Sequence, residues 1–422
     1  MRVRGRVLLV LLLLMCGCSA APPAAPVRSA DAPAPVVVLW HGWYGREQQA
    51  LARIVERFNR SQTLGAVRLQ PVALASMASE IAAARMAGGG SQLALVPATW
   101  LGALVAADSV APLDDVLPAA ERDALLPVTL AAAHVGSDAV PQPLRGVPLR
   151  FDTTALFYDA RNLLVPAEQT DGLFDQLRAL ADPAAAPPLW GMALNLTPDI
   201  ALGYLPAFDG QILDTNGTPV LATAGRAGAE AWLTWLAALQ RDPRLFVRID
   251  DGAEVDRVLR DTRGLATFDW AHRLQLYRNL WGDALGVAPL PALSSTGKPP
   301  QPYVAVDVLT LNPGVNAAEQ GIAEAFLQFA ISAEAQHVLL AADIQPVRRI
   351  TLDESPQARI AAVFRTQAER GVPLPNETQN QLVDEELRLM YRRVLSGLTA
   401  PADGIAEAAA RIESRLANGD AP

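Results

Sequence analysis

Strands and helices alternate three times between residues 36 and 107, and this alternation restricts the choice of fold more than any other feature of the chain. Apolar, β-branched runs predict buried strands at 36–40, 67–72 and 93–96. Helical patterns follow each strand, at 51–58, 81–86 and 100–107. Because parallel strands joined by crossover helices produce this order, we predict an α/β fold with a parallel sheet.

The chain length of 422 residues predicts two domains or more, at roughly 100–200 residues per domain. From Pro148 the pattern changes, because residues 149–158 place polar side chains between apolar ones. Such a segment is typical of a chain that crosses between lobes or of a strand in a mixed sheet, so we predict a hinge at 148–152. Further strands are predicted at 190–195, 286–291 and 303–311, a turn at Asn216-Gly217 and a helix at 229–239. The last 45 residues are predicted to be helical, with one apolar stripe formed by Leu387, Met390, Tyr391 and Val394.

The charge balance excludes one large class of partners. Lys plus Arg total 35 against 44 Asp plus Glu, which gives a net charge of −9. A protein that binds a phosphate backbone needs a basic surface, so we expect no nucleic acid partner. A polytopic membrane protein is also excluded, because only the N-terminal segment approaches the length and hydropathy of a membrane span.

The N-terminus has the three-part layout of a secretory signal: three arginines, an apolar run and then small residues. The apolar run is too short to cross about 30 Å of hydrocarbon comfortably. Gly17-Cys18 resembles the cleavage site of a bacterial lipobox, which predicts a signal peptide over residues 1–17 and acylation of Cys18. The alternative is an ordinary secretory signal cut at 20–25, and both interpretations export the protein.

An Ala/Pro-rich stretch at 18–35 follows the signal and predicts an extended tether. Cys16 and Cys18, the two cysteines of the chain, both lie in the N-terminal segment, so the mature fold has no disulfide. We expect an extracytoplasmic protein held at a bacterial membrane by its N-terminal lipid.

The histidines and the glycine-rich stretches do not predict an enzyme. The four histidines are scattered, without the spacing of a metal site, and we expect neither a metal nor another cofactor. The common motifs of hydrolases, zinc proteases and nucleotide-binding proteins are absent from the sequence, and Gly88-Gly89-Gly90 predicts a loop.

Several sequence blocks together resemble one family in their order and spacing. These blocks lie at 38–43 (VLWHGW), 95–100, 111–114 (APLD), 146–149 (GVPL), 155–159 (ALFYD), 286–291 (GVAPLP) and 324–329. From residue 36 to about residue 416, the chain resembles the extracellular solute-binding proteins of carbohydrate-type ABC importers, the maltodextrin-binding-like group.

The resemblance implies a periplasmic-binding-protein-like fold. Two α/β lobes, each a mostly parallel sheet flanked by helices, would be joined by a hinge that the chain crosses several times. The first lobe would comprise residues 36–149 and 304–344, and the second lobe residues 150–303 and 345–422. A monomer would then capture a sugar or polyol in the cleft between the lobes and deliver it, chemically unchanged, to the permease subunits of the importer.

The sequence departs from this family at three places. Gly90-Ser91-Gln92 stands where relatives usually carry a Pro-Asp pair, and Asp269-Trp270-Ala271 replaces a Gly-Pro-Trp signature. Residues 382–386 contain no aromatic side chain, although some maltodextrin binders supply a stacking ring there. These departures predict either a ligand other than a maltooligosaccharide or a shallower cleft.

A pyranose site needs flat aromatic platforms together with carboxylates or amides that pair with hydroxyl groups. In parallel α/β sheets such residues follow the carboxyl ends of strands. On this basis the predicted ligand-binding residues are Trp43, Tyr44, Glu47, Trp100, Asp152, Asp209, Asp269, Trp270 and Asp307.

Several of these residues have a structural alternative. Trp43 lies among glycines, which makes a place in the core less expected for it. Trp100 could instead pack against the helix that follows it. Trp270, with Asp269 beside it, is the best candidate in the second lobe. The alternative for Asp152 is an ion pair with Arg150, and Asp209 could serve only its own turn.

Two other functions fit the same residues. The tryptophans could form a cage that holds a cationic, betaine-like osmolyte by cation–π attraction, which the acidic composition also favours. Two aspartates flanking a sugar could instead hydrolyse it, as in a glycosidase, and the separation that decides this is not readable from sequence.

Overall fold

The computed structural model of the protein describes residues 34–135, 142–214, 218–249 and 251–418. The predicted signal peptide, the acylation site Cys18 and nearly all of the tether lie outside these ranges, as does the predicted Asn216-Gly217 turn. Among the described residues, no helix is both long enough and apolar enough to cross a membrane.

The strands are β1 (Val36–His41), β2 (Ala66–Pro71), β3 (Leu93–Pro97), β4 (Val147–Asp159), β5 (Met192–Asn195), β6 (Leu245–Arg248), β7 (Ala266–Trp270), β8 (Leu285–Ala288), β9 (Tyr303–Leu311), β10 (Gln345–Pro346) and β11 (Val372–Pro373). The helices are α1 (Gly45–Ser61), α2 (Leu74–Met86), α3 (Leu101–Ala106), α4 (Ala119–Asp123), α5 (Pro127–Ala133), α6 (Thr170–Leu180), α7 (Pro198–Leu202), α8 (Arg226–Arg241), α9 (Gly252–Arg260), α10 (Leu274–Trp281), α11 (Ala317–Ala330), α12 (Ala333–Ala341), α13 (Pro356–Arg370), α14 (Thr378–Leu395) and α15 (Pro401–Asn418). Short 3₁₀ turns occupy Ala98–Trp100, Leu205–Phe208, Ala271–Arg273 and Gly282–Ala284.

The sheet of the first lobe has the strand order β10-β4-β9-β3-β1-β2. β1 pairs in parallel with both β2 and β3, which confirms the predicted parallel arrangement of the first three strands. β9 lies between β3 and β4 and runs antiparallel to both. This insertion of a late strand brings distant parts of the chain to the same edge of the sheet.

β4 belongs to the sheets of both lobes. Its first half pairs with β9 as far as Thr153, and from Thr154 onward it pairs with β7 and β8. Eleven of the thirteen residues of β4 are buried, and the other two, Arg150 and Tyr158, are half-buried. Burial along the whole strand explains its mixture of apolar and small polar residues. The change of partners lies just after the predicted hinge.

In the second lobe, β7 and β8 flank β4, and β5 pairs in parallel with β6. The strand predicted at 286–291 ends at Ala288, because Pro289 has no N–H for a sheet hydrogen bond. The strand predicted at 190–195 begins at Met192, while Trp190 forms only an isolated bridge to Gly264.

The C-terminal helices complete the core of the second lobe. Leu387, Met390 and Tyr391 of α14 are each 1% exposed or less, in agreement with the predicted apolar stripe. The Tyr391 hydroxyl donates a hydrogen bond to the Leu196 carbonyl, and its ring lies 6.1 Å from that of Trp232 on α8. Two aromatic side chains therefore join α14 and α8 to the loop that follows β5.

Candidate functional site

The pairing of β4 with β9 places charged residues side by side. Arg150 of β4 lies directly opposite Asp307 of β9, and Asp307 lies opposite Pro97 at the end of β3. Asp152 is two residues beyond Arg150 and therefore on the same face of β4. The register gathers a cation and two carboxylates at the carboxyl end of the parallel strands, where an α/β sheet binds its ligands.

Asp307 lies at the centre of this group. One of its oxygens, Oδ2, accepts hydrogen bonds from Trp43 Nε1 and from Arg150 Nε, both at 2.8 Å. Trp43 follows β1 and is only 7% exposed, and the Arg150 guanidinium lies 5.7 Å from the centre of its ring. The indole that the sequence predicts to be available to ligand thus packs in the core and has the guanidinium over its ring.

Three carboxylates surround the Arg150 guanidinium. Its nitrogens lie 2.8 Å from Asp307, 3.6 Å from Asp152 and 3.8 Å from Glu47 in the first turn of α1. Burial acts to lower the pKa of Arg150, but the three carboxylates outweigh it and raise that pKa above its ordinary value. Burial raises the pKa of Glu47, although Arg150 opposes this shift. We call Trp43, Glu47, Arg150, Asp152 and Asp307 the arginine cluster.

His272 connects the arginine cluster to the second lobe. Asp152 accepts two hydrogen bonds from this residue, at 3.2 Å from the backbone N–H and at 2.7 Å between Oδ2 and the ring Nδ1. Burial acts to lower the pKa of His272, but its hydrogen bond and charge attraction to Asp152 raise that pKa above the ordinary value. The ring is half exposed.

Trp270 and Asp269 stand on the second-lobe side of the site. Trp270 pairs with Thr154, two residues after Asp152 along β4, and its ring is half-buried. Asp269 accepts hydrogen bonds from the Trp270 N–H at 2.8 Å, from Arg273 Nε at 3.3 Å and from the Tyr277 hydroxyl. Burial raises the pKa of Asp269, and these donors only partly offset that effect.

Two cavities lie on either side of His272. The Arg150 cavity, of about 300 Å³, is lined by the arginine cluster residues Trp43, Glu47, Arg150 and Asp307 and by the β3 end at Pro97. The Trp270 cavity, of about 220 Å³, is lined by Asp269, Trp270, Asn195 and Thr197 among others. His272 lines both cavities. The two cavities are therefore adjacent, and carboxylate, amide and hydroxyl groups line them together with the indole rings of Trp43 and Trp270.

Of the remaining predicted residues, Tyr44 lies at the edge of this arrangement, and Trp100 and Asp209 lie outside it. Tyr44 lines the Arg150 cavity but is 79% exposed. Trp100 is half-buried in the 3₁₀ turn after β3 and packs on the first-lobe core, and it is not among the described residues that line either cavity. Asp209 has a φ of 63° at the end of a 3₁₀ turn, and its exposed carboxylate pairs with Lys298. Asp209 thus occupies a turn and lines neither of the two cavities.

Sequence reasoning missed the central residue and the connecting one. Arg150 entered only as a structural partner of Asp152, and His272 was considered only as a metal ligand. The signal for Arg150 was present, because Arg150 and Asp152 are polar residues two apart in an apolar strand and so share one face. His272 required knowledge of how β7 pairs with β4.

A family model described as bacterial extracellular solute-binding protein matches residues 53–349. This match covers well over half of the chain, and the protein therefore belongs to the bacterial extracellular solute-binding proteins. No curated protein sequence matches the chain.

Solved structures of binding proteins share the fold. The cyclic α-maltosyl-1,6-maltose binding protein of Arthrobacter globiformis superimposes with a TM-score of 0.76 at 15% identity, over 92% of this chain and 100% of that one. A cyclo/maltodextrin-binding protein complexed with maltotetraose gives 0.74 at 19% identity, over 92% and 99% of the two chains. The maltotriose binding protein of Thermus thermophilus gives 0.70 at 19% identity, over 90% and 100%. At these identities the likeness defines the fold, which is the two-lobe fold of periplasmic binding proteins.

Proposed function

We propose that this protein is the substrate-binding component of an ABC importer and that it captures a sugar or polyol between its lobes. The observation that carries the proposal is the convergence of the arginine cluster, His272 and Trp270 on two adjoining cavities. Two further findings support it: the protein belongs to a family of solute-binding proteins, and the three similar structures are binding proteins whose names include malto-sugars.

The chemistry of the site suits a polyhydroxylated ligand. Sugar hydroxyls pair well with ionised carboxylates and with guanidinium N–H groups, because charge-assisted hydrogen bonds are the stronger ones. Glu47 lines the Arg150 cavity, and its Oε1 lies near Arg150, at 3.8 Å. Both oxygens of Asp152 are engaged by His272, and Arg150 is fixed in place by Asp307. Trp270, half-buried beside Asp269, offers the apolar face that a pyranose ring needs.

The geometry argues against a tryptophan cage for a cationic osmolyte. Such a cage needs open indole faces around the ligand cation. In this structure the Arg150 guanidinium already lies over the Trp43 ring at 5.7 Å, and Trp100 packs on the first-lobe core. Trp270 alone remains of the three rings that the cage would use.

We infer that closure of the lobes accompanies binding and that the ligand leaves unchanged. The hinge would lie where β4 exchanges β9 for β7 and β8, between Thr153 and Thr154. This position lies close to the predicted lobe boundary at 149/150 and 303/304. Incubation of the protein with its ligand, followed by chromatography of the supernatant, should recover intact ligand; cleavage products would reveal a glycosidase.

The lipid anchor at Cys18 is part of the same proposal, and it rests on the Gly17-Cys18 pair and the tether composition. Replacement of Cys18 by Ser should move the protein from the membrane fraction to the soluble fraction of cells. A variant that stays membrane-bound with the electrophoretic mobility of the wild type would contradict acylation at this residue.

A calorimetric panel tests the ligand class. Monosaccharides, disaccharides, maltooligosaccharides and polyols are titrated into the purified protein beside betaine. We expect saturable binding of at least one carbohydrate at one site per chain, and a ligand at about 100 times its dissociation constant should stabilise the fold by roughly 2.7 kcal/mol. Binding of betaine with no response to any carbohydrate would overturn the proposal.

A further inference from the structure

The surroundings of Arg150 carry more negative than positive charge. Glu47, Asp152 and Asp307 lie around one guanidinium, that of Arg150. The other cation that acts on Glu47 is His272 in its protonated form. Three carboxylates therefore face two cations at most, and the excess charge in this part of the cleft is negative.

The Trp270 cavity differs in this respect. Its two carboxylates, Asp256 and Asp269, both accept hydrogen bonds from the Arg273 guanidinium. Arg260, one turn further along α9, lies 3.7 Å from Asp256 as a second cation. Because each carboxylate of this cavity has a guanidinium beside it, the uncompensated negative charge lies in the other cavity.

Glu47 has the fewest partners of the three carboxylates near Arg150. Asp152 accepts two hydrogen bonds from His272, and Asp307 accepts two through its Oδ2. Within the described parts of the chain, Glu47 makes no hydrogen bond, and its Oε1 lies 3.8 Å from an Arg150 nitrogen. Burial and the charges of the two aspartates raise the pKa of Glu47, although Arg150 opposes the shift. A cation bound beside this carboxylate would therefore stabilise its ionised form.

Asp307 offers a second acceptor. Its Oδ2 accepts from Trp43 and Arg150, whereas its Oδ1 has no hydrogen-bond partner among the residues that the structure describes. Glu47 and Asp307 both line the Arg150 cavity. A primary ammonium group has three N–H donors and no acceptor, so it can pair with two carboxylates at once.

We propose that the ligand is an amino sugar and that Glu47 is the residue that selects it. This inference rests on the proposed function and concerns the same site. The ammonium group of the sugar lies in the Arg150 cavity and donates to Glu47, with Asp307 Oδ1 as a second acceptor. Its charge offsets the excess of carboxylates, and hydrogen bonds between charged groups are the stronger ones. A quaternary osmolyte such as betaine has no N–H to donate to these oxygens.

Pairs of sugars that differ by one amino group test this preference. Glucose, maltose and trehalose are each titrated calorimetrically beside the derivative in which an amino group replaces a primary hydroxyl, and glucose also beside glucosamine and glucuronate. The titrations are run at about pH 6, below the pKa of the amines. We expect the amino member of at least one pair to bind about tenfold or more tightly than its neutral partner. Glucuronate should bind most weakly in the glucose series.

Two variants of α1 locate the selecting group. Glu47→Gln removes the charge and keeps the shape, so the affinity for the amino sugar should fall by about tenfold or more, and that for the neutral partner by less. Glu56→Gln is the matched control, because Glu56 lies on the same helix, is exposed and pairs with Arg60. This control should keep the wild-type preference. Melting temperatures establish that both variants are folded.

The possible results separate this inference from the proposed function. An unchanged preference for the amino sugar in folded Glu47→Gln would place the ammonium group elsewhere and refute the role of Glu47. If neutral sugars bind and no amino derivative binds more tightly than its partner, the inference is overturned and the proposed function stands. If no sugar binds, neutral or charged, both are refuted.

Discussion

At the scale of the residue, one carboxylate holds both a ring and a cation in place. Asp307 accepts hydrogen bonds from Trp43 and Arg150, and both donors are largely withdrawn from water. Replacement of Asp307 by Ala should lower the free energy of unfolding by about 3 kcal/mol, at the low end for a broken buried pair, because Asp152 and Glu47 still face Arg150. Urea unfolding monitored by circular dichroism measures this loss.

The matched control for Asp307 is Glu334, whose ion pair with Arg57 is about half exposed on both sides. Glu334→Ala should cost less than about 1 kcal/mol, because water and salt screen an exposed pair. Equal costs for the two variants would contradict the central role of Asp307.

His272 predicts a pH dependence with a definite sign. Its pKa in the folded protein is raised above the ordinary value of 6.5, where Asp152, Asp269 and Arg150 face it. The stabilisation is therefore complete below the unfolded pKa and disappears as the pH rises through the folded pKa. The difference in unfolding free energy between wild type and His272→Gln should be larger at about pH 5 than at about pH 8.

His41 provides the contrast for this measurement. It is fully buried at the end of β1, and burial lowers its pKa below the ordinary value of 6.5. As the pH falls, protonation of His41 therefore lowers the unfolding free energy of the wild type, and His41→Gln does not show this effect. The difference in unfolding free energy between wild type and variant should therefore change with pH in opposite directions for His272→Gln and His41→Gln. A change in the same direction for both would contradict the pKa shifts assigned to the two histidines.

Sequence reasoning selected Trp43 because glycines flank it, and it expected an open ring. The indole instead lies in the core and donates a hydrogen bond to Asp307 of β9, which is 264 positions later in the chain. No local pattern contains that information. Asp209 is the opposite case, since aspartate tolerates a positive φ, and its place in a turn was a local feature.

Among the elements, β9 lies where the sequence pattern predicts a strand, at residues 303–311. The pattern is readable because partly buried and buried positions alternate along the strand before it enters the core. The neighbours of β9 could not be read in the same way. Its antiparallel insertion between β3 and β4 depends on contacts between residues more than 150 positions apart. The site residues converge through that register, so their proximity was not predictable from strand positions alone.

The helix α8 gives a prediction on the core of the second lobe. Trp232 is fully buried and its Nε1 donates a hydrogen bond to the Ala201 carbonyl at 2.9 Å. Trp232→Ala should lower the free energy of unfolding by about 3–5 kcal/mol through cavity formation. Thr234→Ala, on the exposed side of the same helix, should change it by less than about 0.5 kcal/mol. Chemical denaturation of both variants decides whether α8 is anchored as described.

For the whole molecule, the proposed closure would link ligand binding to movement of the lobes through β4, the strand that the two sheets share. A ligand that contacts both lobes binds the closed form more tightly than the open form, and so shifts the population toward closure. Small-angle X-ray scattering should therefore give a smaller radius of gyration with saturating carbohydrate than without it. An unchanged radius would contradict closure about the hinge at Thr153 and Thr154.

The two-lobe organisation was accessible from sequence because block order and strand–helix alternation are spread along the whole chain. The family match and the structural likeness confirm that part of the interpretation. The distribution of polar groups in the cleft was not accessible, because it arises where β4, β7 and β9 meet. The N-terminal address at Cys18 lies outside the described residues and remains a prediction.

We propose that a carbohydrate lies between the arginine cluster and Trp270, and a calorimetric titration of Trp270→Ala tests this placement. The tightest carbohydrate from the panel is titrated into wild type, Trp270→Ala and the core variant Trp232→Ala, each under conditions where it is folded. We expect Trp270→Ala to lose about 2–4 kcal/mol of binding free energy at an unchanged melting temperature, whereas Trp232→Ala should bind normally but melt at a lower temperature. Wild-type affinity in folded Trp270→Ala would contradict the placement of the ligand in this cleft.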